Sequence, residues 1–338
     1  MRSRTRYGLL GLATLVLLSF VIVDISWGPG NLPLGTVIEA LFQPQAHGVK
    51  VEVIVWDLRL PIAIMAIMIG AMLGAAGAEM QTILNNPLAD PFTLGISSAA
   101  SFGAALAIVM QINLIPIAGP LLVTGNAFVL ALATSMVIYA FTFVRGVTSE
   151  TMVLVGIALM FTFGALLALM QYGATQVQLA QIVFWMMGSL ARATWTKIGV
   201  CLAVLAVTLP LFLARNWALT ALRMGDDKAA SLGINVKRVR VEVLVAVSLL
   251  ASTAVAFVGV VGFVGLVGPH IARMVVGEDQ RFFLPFSMLA GAMIMSATSI
   301  VSKAITPGII YPIGIITSLI GIPFFLSLIL ATRRASWR

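Results

Sequence analysis

The sequence predicts an all-α polytopic membrane protein with about ten transmembrane helices. Three observations carry this. Mean hydropathy is +1.08, with 60% hydrophobic and only 9% charged residues. Apolar runs of about 20 residues recur, the length that crosses a hydrocarbon core about 30 Å thick. The runs are continuous and do not alternate, which excludes a β-barrel.

Taken in order, the runs are 7–27, 58–84, 92–110, 120–144, 150–172, 195–214, 241–262, 283–305 and 311–331. Arg2, Arg4 and Arg6 precede the first run, which has no clear small-residue cleavage site, so it reads as an uncleaved helix. Residues 28–57 form an external segment, rich in Pro and Gly at its start, with a short helix near 33–42.

Basic residues set the orientation. With the N-terminus in the cytoplasm, 15 of the 20 Lys and Arg fall inside, and Lys50, Arg59, Arg192, Lys197 and Lys303 fall outside. The net charge of +8 is read as this bias, and no nucleic-acid partner is expected. Basic clusters on the inside flank residues 241–276, so the chain goes out and returns within that stretch. One full helix and one shorter, broken helix fit, which makes ten, with both termini cytoplasmic.

Small residues at intervals of four in "GAMLGAAGAEM" (Gly70, Gly74, Ala78) predict close helix packing. The run "GVVGFVGLVGPH" (259–270) has Gly at intervals of three and ends at Pro269, a poor continuous helix. Broken helices at membrane depth persist where protein or a water-filled cavity covers them. "NNPLADPFTLGISSAAS" (85–101) has the prolines and Asx residues of a turn. Glu79 is a carboxylate inside the second run, costly unless paired, protonated or wet, and so a candidate for the pathway.

Cys201 is the single cysteine, so no internal disulfide is expected. His47 and His270 do not make a metal-binding pattern, and no Walker A motif is present.

The stretch "RMGDDKAASLGINVKRVR" (223–240) holds 7 of the 32 charged residues. A topology signal needs cations alone, yet this segment also carries acids and an apolar stripe. Ala229, Leu232, Val236 and Val239 repeat as one helical face, interrupted by Gly233. It reads as two short helices that form a protein-docking surface.

These segments together resemble the FecCD-type permeases of ABC importers for iron–siderophores, haem and vitamin B12. The resemblance rests on "RLP" (59–61), "NNPLADPFTLGISSAAS", "FWMMGSL" (184–190), "MGDDKAASLGINVKRVR", "GFVGLVGPHIAR" (262–273) and "YPIGIITSLIGIPFF" (311–325), in order along almost the whole chain. It implies one permease domain over 1–338 with a vitamin B12 permease-like type II importer fold in a bacterial inner membrane. It further implies a second permease copy or paralogue, two cytoplasmic ABC ATPase subunits and an external substrate-binding protein. The chain itself would hold no cofactor and do no covalent chemistry; ATP and Mg would sit on the ATPase. Within 223–240 the resemblance assigns ATPase coupling to Gly225, Asp226, Ala229, Ala230, Gly233 and Arg238. It assigns binding-protein docking to Arg59 and Lys303, and places Thr148 and Ser149 near an inner gate. Departures from the family pattern stand at Ile62, Ser299, Ile310, Gly268 and Glu79. The expected cargo is a ferric siderophore, with haem, cobalamin and molybdate as alternatives. An ion-coupled secondary transporter with Glu79 as its titrating group is the reading from another class.

Overall fold

The computed structural model describes residues 3–28, 32–115, 121–145, 149–306 and 308–335. Among these, regular structure is entirely helical. The first helix, α1 (Ser3–Ser26), leads to α2 (Leu34–Phe42) and a turn at Pro44–His47. Helix α3 (Val49–Glu52) then runs through wider π-type turns at Val53–Arg59 into α4 (Leu60–Ile83). The second span therefore starts at Val49, earlier than the apolar run at 58 predicts, because Lys50, Glu52, Asp57 and Arg59 interrupt the hydropathy without breaking the helix.

Helices α5 (Ile96–Ala105), α6 (Leu122–Arg145) and α7 (Ser149–Gly173) follow. Next comes α8 (Gln176–Met186), a short helix that hydropathy does not reveal. A reciprocal capping box builds its start: Thr175 accepts from the Gln178 backbone N–H, and the Gln178 side chain accepts from the Thr175 N–H. Then come α9 (Trp195–Ala214), α10 (Asn216–Leu222), α11 (Asp226–Ser231), α12 (Val236–Val258), α13 (Val264–Val276), α14 (Gln280–Ala304) and α15 (Ile313–Ala335).

Seven of the described helices are long and apolar enough to span a bilayer, and three shorter apolar ones bring the number to ten. The excursion at 241–276 is made by α12 and the shorter α13, with a non-helical break at Gly259–Phe263. The break is narrower than the glycine spacing predicts: α13 continues through Gly265, Gly268 and Pro269. Pro269 sits in its second turn, where the missing N–H removes one helical bond, the one to the Gly265 carbonyl.

Helices α4, α12 and α14 form the buried centre, and α1, α7 and α9 lie around it. Glycine makes the centre tight. A Cβ at Gly70 would stand 2.6 Å from the Ala292 Cα, and one at Gly74 2.9 Å from the Ser287 carbonyl carbon. One at Gly77 would stand 2.8 Å from the Gly265 Cα. Backbones at such distances admit no side chain.

Candidate functional site

After α10, the charged segment 223–240 forms one short helix, α11, and the start of the 23-residue α12, where the sequence predicts two short helices. Gly225 (φ +99°) and Gly233 (φ +80°) bracket α11, and a Cβ at either would meet nothing within 4 Å. Glycine is therefore required here by the backbone conformation, which L side chains rarely adopt. Asp226 and Asp227 open α11, favourable at the positive end of the helix dipole. Asn235 restarts the chain by accepting from the Arg238 backbone N–H at 3.0 Å.

Arg240 ties this segment to the bundle. Its guanidinium is buried, donates to both carboxylate oxygens of Asp226 at 2.7 and 2.8 Å, and donates to the Ile83 carbonyl at 2.9 Å. The bond to Ile83 lands on the last turn of α4. A further tie runs through Glu278, which pairs with Arg223 and, at 3.0 Å, with Arg273. Both guanidinium groups lie 5.5 Å from the ring centre of Phe283, within cation–π range. Arg273 also donates to Gln81 at 2.8 Å. On α12, Glu242 accepts from Arg215 and Arg238, each at 2.8 Å. Sequence spacing reveals none of these bonds except the Arg238–Glu242 pair one helical turn apart.

The predicted coupling residues therefore divide. Ala230, Gly233 and Arg238 are exposed, beside half-exposed Met224 and Leu232. Ala229 is fully buried in the core, and the Asp226 carboxylate holds Arg240. Ala229 thus positions the segment from within, whereas Asp226, whose side chain is half exposed, both holds Arg240 and reaches the outer surface. The predicted apolar stripe also breaks: Ala229 and Val239 are buried, but the turn at Gly233 leaves Leu232 49% exposed.

Arg59 and Lys303 were expected to face an external partner, and the structure corrects this. They are only 3% and 4% exposed. Arg59 donates to the carbonyls of Ile25, Ser26 and Gly28 at 3.0, 2.8 and 2.9 Å, closing the C-terminal end of α1, where carbonyls lack helical partners. Lys303 pairs with the buried Asp24 at 2.5 Å and donates to its carbonyl at 2.9 Å. Both charges are consumed inside the chain.

Glu79, expected on the pathway, is fully buried against α14, 3.4 Å from the Gln280 amide, which also donates to Thr82 at 2.8 Å. It lines no open surface of this chain. Thr148 lies outside the described residues, and Ser149 opens α7. In the loop between α4 and α5, Asp90 caps the turn at Pro91–Leu94 by accepting from the Phe92 N–H at 2.9 Å. Burial pushes its carboxyl up to about 6, against the opposing bond from Phe92.

A bundle of ten apolar helices with a charged two-helix insert before α12 matches, over residues 15–331, the model of the FecCD transport family. The chain belongs to this family. It is a multi-pass permease of the ABC importer class. It is 40% identical, over 97% of its length and 95% of the relative's, to an ABC transporter permease protein of Methanocaldococcus jannaschii. It is 36% identical to the hemin transport system permease of Yersinia pestis, covering 82% of this chain and 84% of that one. The vitamin B12 import system permease of Vibrio vulnificus is also 36% identical, covering 82% and 83%. Among solved structures, a metal-chelate type ABC transporter in an inward-facing conformation superposes with a TM-score of 0.82 at 29% identity, covering 96% of this permease and 99% of that chain.

Proposed function

We propose that this permease imports a ferric siderophore, or a related metal chelate, delivered by an external binding protein and driven by two ATPase subunits. The observation that carries the ATP-driven part is the segment 223–240. Its outer surface presents Met224, Ala230, Leu232 and Arg238, while Arg240 and Arg223 fasten its inner surface to the ends of α4, α13 and α14. A partner that pulls on this segment displaces the central helices directly. The segment is assigned to the cytoplasm by the distribution of basic residues, and the chain works beside a second copy or a close paralogue. Relatives named for hemin and vitamin B12 keep those two cargoes as the competing substrates.

The test is reconstitution in proteoliposomes with the candidate ATPase and binding protein. ATP-dependent uptake of a radiolabelled ferric siderophore, exceeding that of hemin or cobalamin, is the expected result. Leu232→Asp should release the ATPase while leaving the permease folded, because the side chain is exposed and contributes little to the core. Uptake that persists without ATPase and collapses with the proton gradient would overturn the reading in favour of a secondary transporter.

A further inference from the structure

At the end of the bundle opposite the charged segment, two cations share a cavity. Arg192 lies in the loop before α9, and Lys197 lies in the first turn of α9. Both are partly buried and close enough to repel each other. Lys197 Nζ is folded back onto the Arg192 carbonyl at 2.7 Å. The Arg192 guanidinium forms no hydrogen bond or ion pair among the described residues. The cavity they line measures about 770 Å³, within the range of small-molecule sites. Its walls include Phe184, Trp185, Gln176 and Gln181, and no acidic side chain of the described residues contributes. A second, almost entirely apolar cavity of about 330 Å³ adjoins it, sharing Lys197 and Thr124.

Like charges removed from water are costly unless an opposite charge compensates them. Other buried cations of the described residues are compensated: Arg240 meets Asp226, Lys303 meets Asp24, Arg273 meets Glu278, and the Arg59 guanidinium is filled by three carbonyls. Arg192 and Lys197 depart from that rule, and they do so where there is room for a ligand. The start of α9 adds to the field, since the positive end of a 20-residue helix lies at Lys197. The capping box of α8 and the Gln178 side chain, which donates to the Ile108 and Val109 carbonyls at 3.2 and 3.3 Å, fix the wall that carries Phe184.

We propose that this cavity is a binding site for the anionic group of an amphipathic molecule. Arg192 and Lys197 hold a carboxylate, catecholate or phosphate, and the apolar body lies against Phe184 and Trp185 or in the smaller cavity beyond Lys197. Two sources share this chemistry: an anionic metal chelate in transit, and the headgroup of an anionic phospholipid. Assigning the chelate rests on the proposed transport; the anion site itself does not.

The experiment uses the full chain in phosphatidylcholine nanodiscs, with equilibrium binding of two iron-radiolabelled probes, an anionic ferric tris-catecholate and a neutral ferric hydroxamate. The wild type should favour the catecholate. Arg192→Gln with Lys197→Gln should weaken it about tenfold or more, as for a lost charged hydrogen bond, and leave the hydroxamate unchanged. A second arm adds phosphatidylglycerol and counts retained lipid by native mass spectrometry. Retention by the wild type and loss in the double variant would support the site with lipid as the anion's source. Equal catecholate binding and equal lipid retention in wild type and variant, with matched thermal unfolding, would overturn the proposal. ATP-dependent uptake measured on the same variant separates the two readings, since normal uptake of the neutral chelate leaves the transport function standing whatever becomes of the anion site.

Discussion

The α4–α14 crossing can be tested one methyl group at a time. In Gly74→Ala the new Cβ would stand 2.9 Å from the Ser287 carbonyl carbon and overlap its oxygen. Carbon atoms pack at about 3.5–4.0 Å, so the helices must part by roughly 0.6–1 Å. The displaced neighbour is backbone, which has no rotamer to move. Overpacking of this kind costs about 1–3 kcal/mol. Gly164→Ala in α7 and Gly199→Ala in α9 are matched controls, since a Cβ at either meets nothing within 4 Å. They change helix propensity alone and should be neutral, or stabilising by up to about 1 kcal/mol. The assay is built into the chain. Cys201 is the single cysteine and is buried, so a thiol-reactive fluorophore reports unfolding from one site. At about 2.1 cal/mol/K per residue, 338 residues give an unfolding entropy near 0.7 kcal/mol/K, so a 2 kcal/mol loss lowers the midpoint by about 3 °C. A Gly74→Ala midpoint equal to that of Gly199→Ala would refute the argument that backbone contact explains this glycine.

The same assay reads the buried ion pair, and intrinsic tryptophan fluorescence, which needs no thiolate, reads the pH dependence. Lys303→Met or Asp24→Leu alone should each cost about 3–5 kcal/mol by stranding a buried charge, whereas the double variant should recover much of the loss. Strictly additive losses would show that the pair is not coupled. Asp90 should give a pH dependence of defined sign. Its folded-state value of about 6 exceeds the ordinary 3.8, so the native state binds the proton more tightly. The stabilisation is complete below about pH 4 and is lost as pH rises through 6, a change of about 3 kcal/mol. Asp90→Asn should remove that slope. Asp279 acts in the opposite direction, because its bond from Arg281 lowers its carboxyl and that contribution disappears as pH falls. A variant that keeps the wild-type slope between pH 4 and 6 would exclude Asp90 as its cause.

Legibility followed the range of each interaction. The spans could be read because a bilayer demands length and hydropathy, and both are local properties. Helix α8 could not, since 11 residues containing Gln176, Gln178 and Gln181 satisfy neither criterion. Spacing marked Gly70 and Gly74 as a close-packing stripe, but their partners, Gly291 and Ser287, lie more than 200 residues further on. The misreading of Arg59 and Lys303 has the same origin. A cation at the end of a span looks exposed until its acceptors are known, and for Lys303 the acceptor is Asp24, 279 residues away. Within 223–240 the charges were conspicuous, yet the division between Arg240, which points inward, and Arg238, which points outward, depends on the turn at Gly233 and on the Ile83 carbonyl.

Those long-range contacts converge on α4. At its start Arg59 closes the end of α1; along its length glycines lock it to α14 and α13; at its last turn Ile83 receives Arg240 from the charged segment. A helix held by backbone contact and by buried, hydrogen-bonded cations at both ends transmits displacement without deforming, because neither kind of contact can stretch by an ångström at small cost. The helices that surround it differ. Helix α7 exposes Leu154, Phe161 and Leu169, and α15 exposes Ile315, Leu319 and Ile320, so both have large apolar surfaces that this chain does not cover. A second permease copy or lipid must cover them, and lipid-covered or intersubunit surfaces can slide at far smaller cost than an interlocked glycine crossing. Under the proposed mechanism, then, the charged segment, α4, α13 and α14 move as one body, and the change of access arises where that body meets the more loosely held α7, α8 and α15.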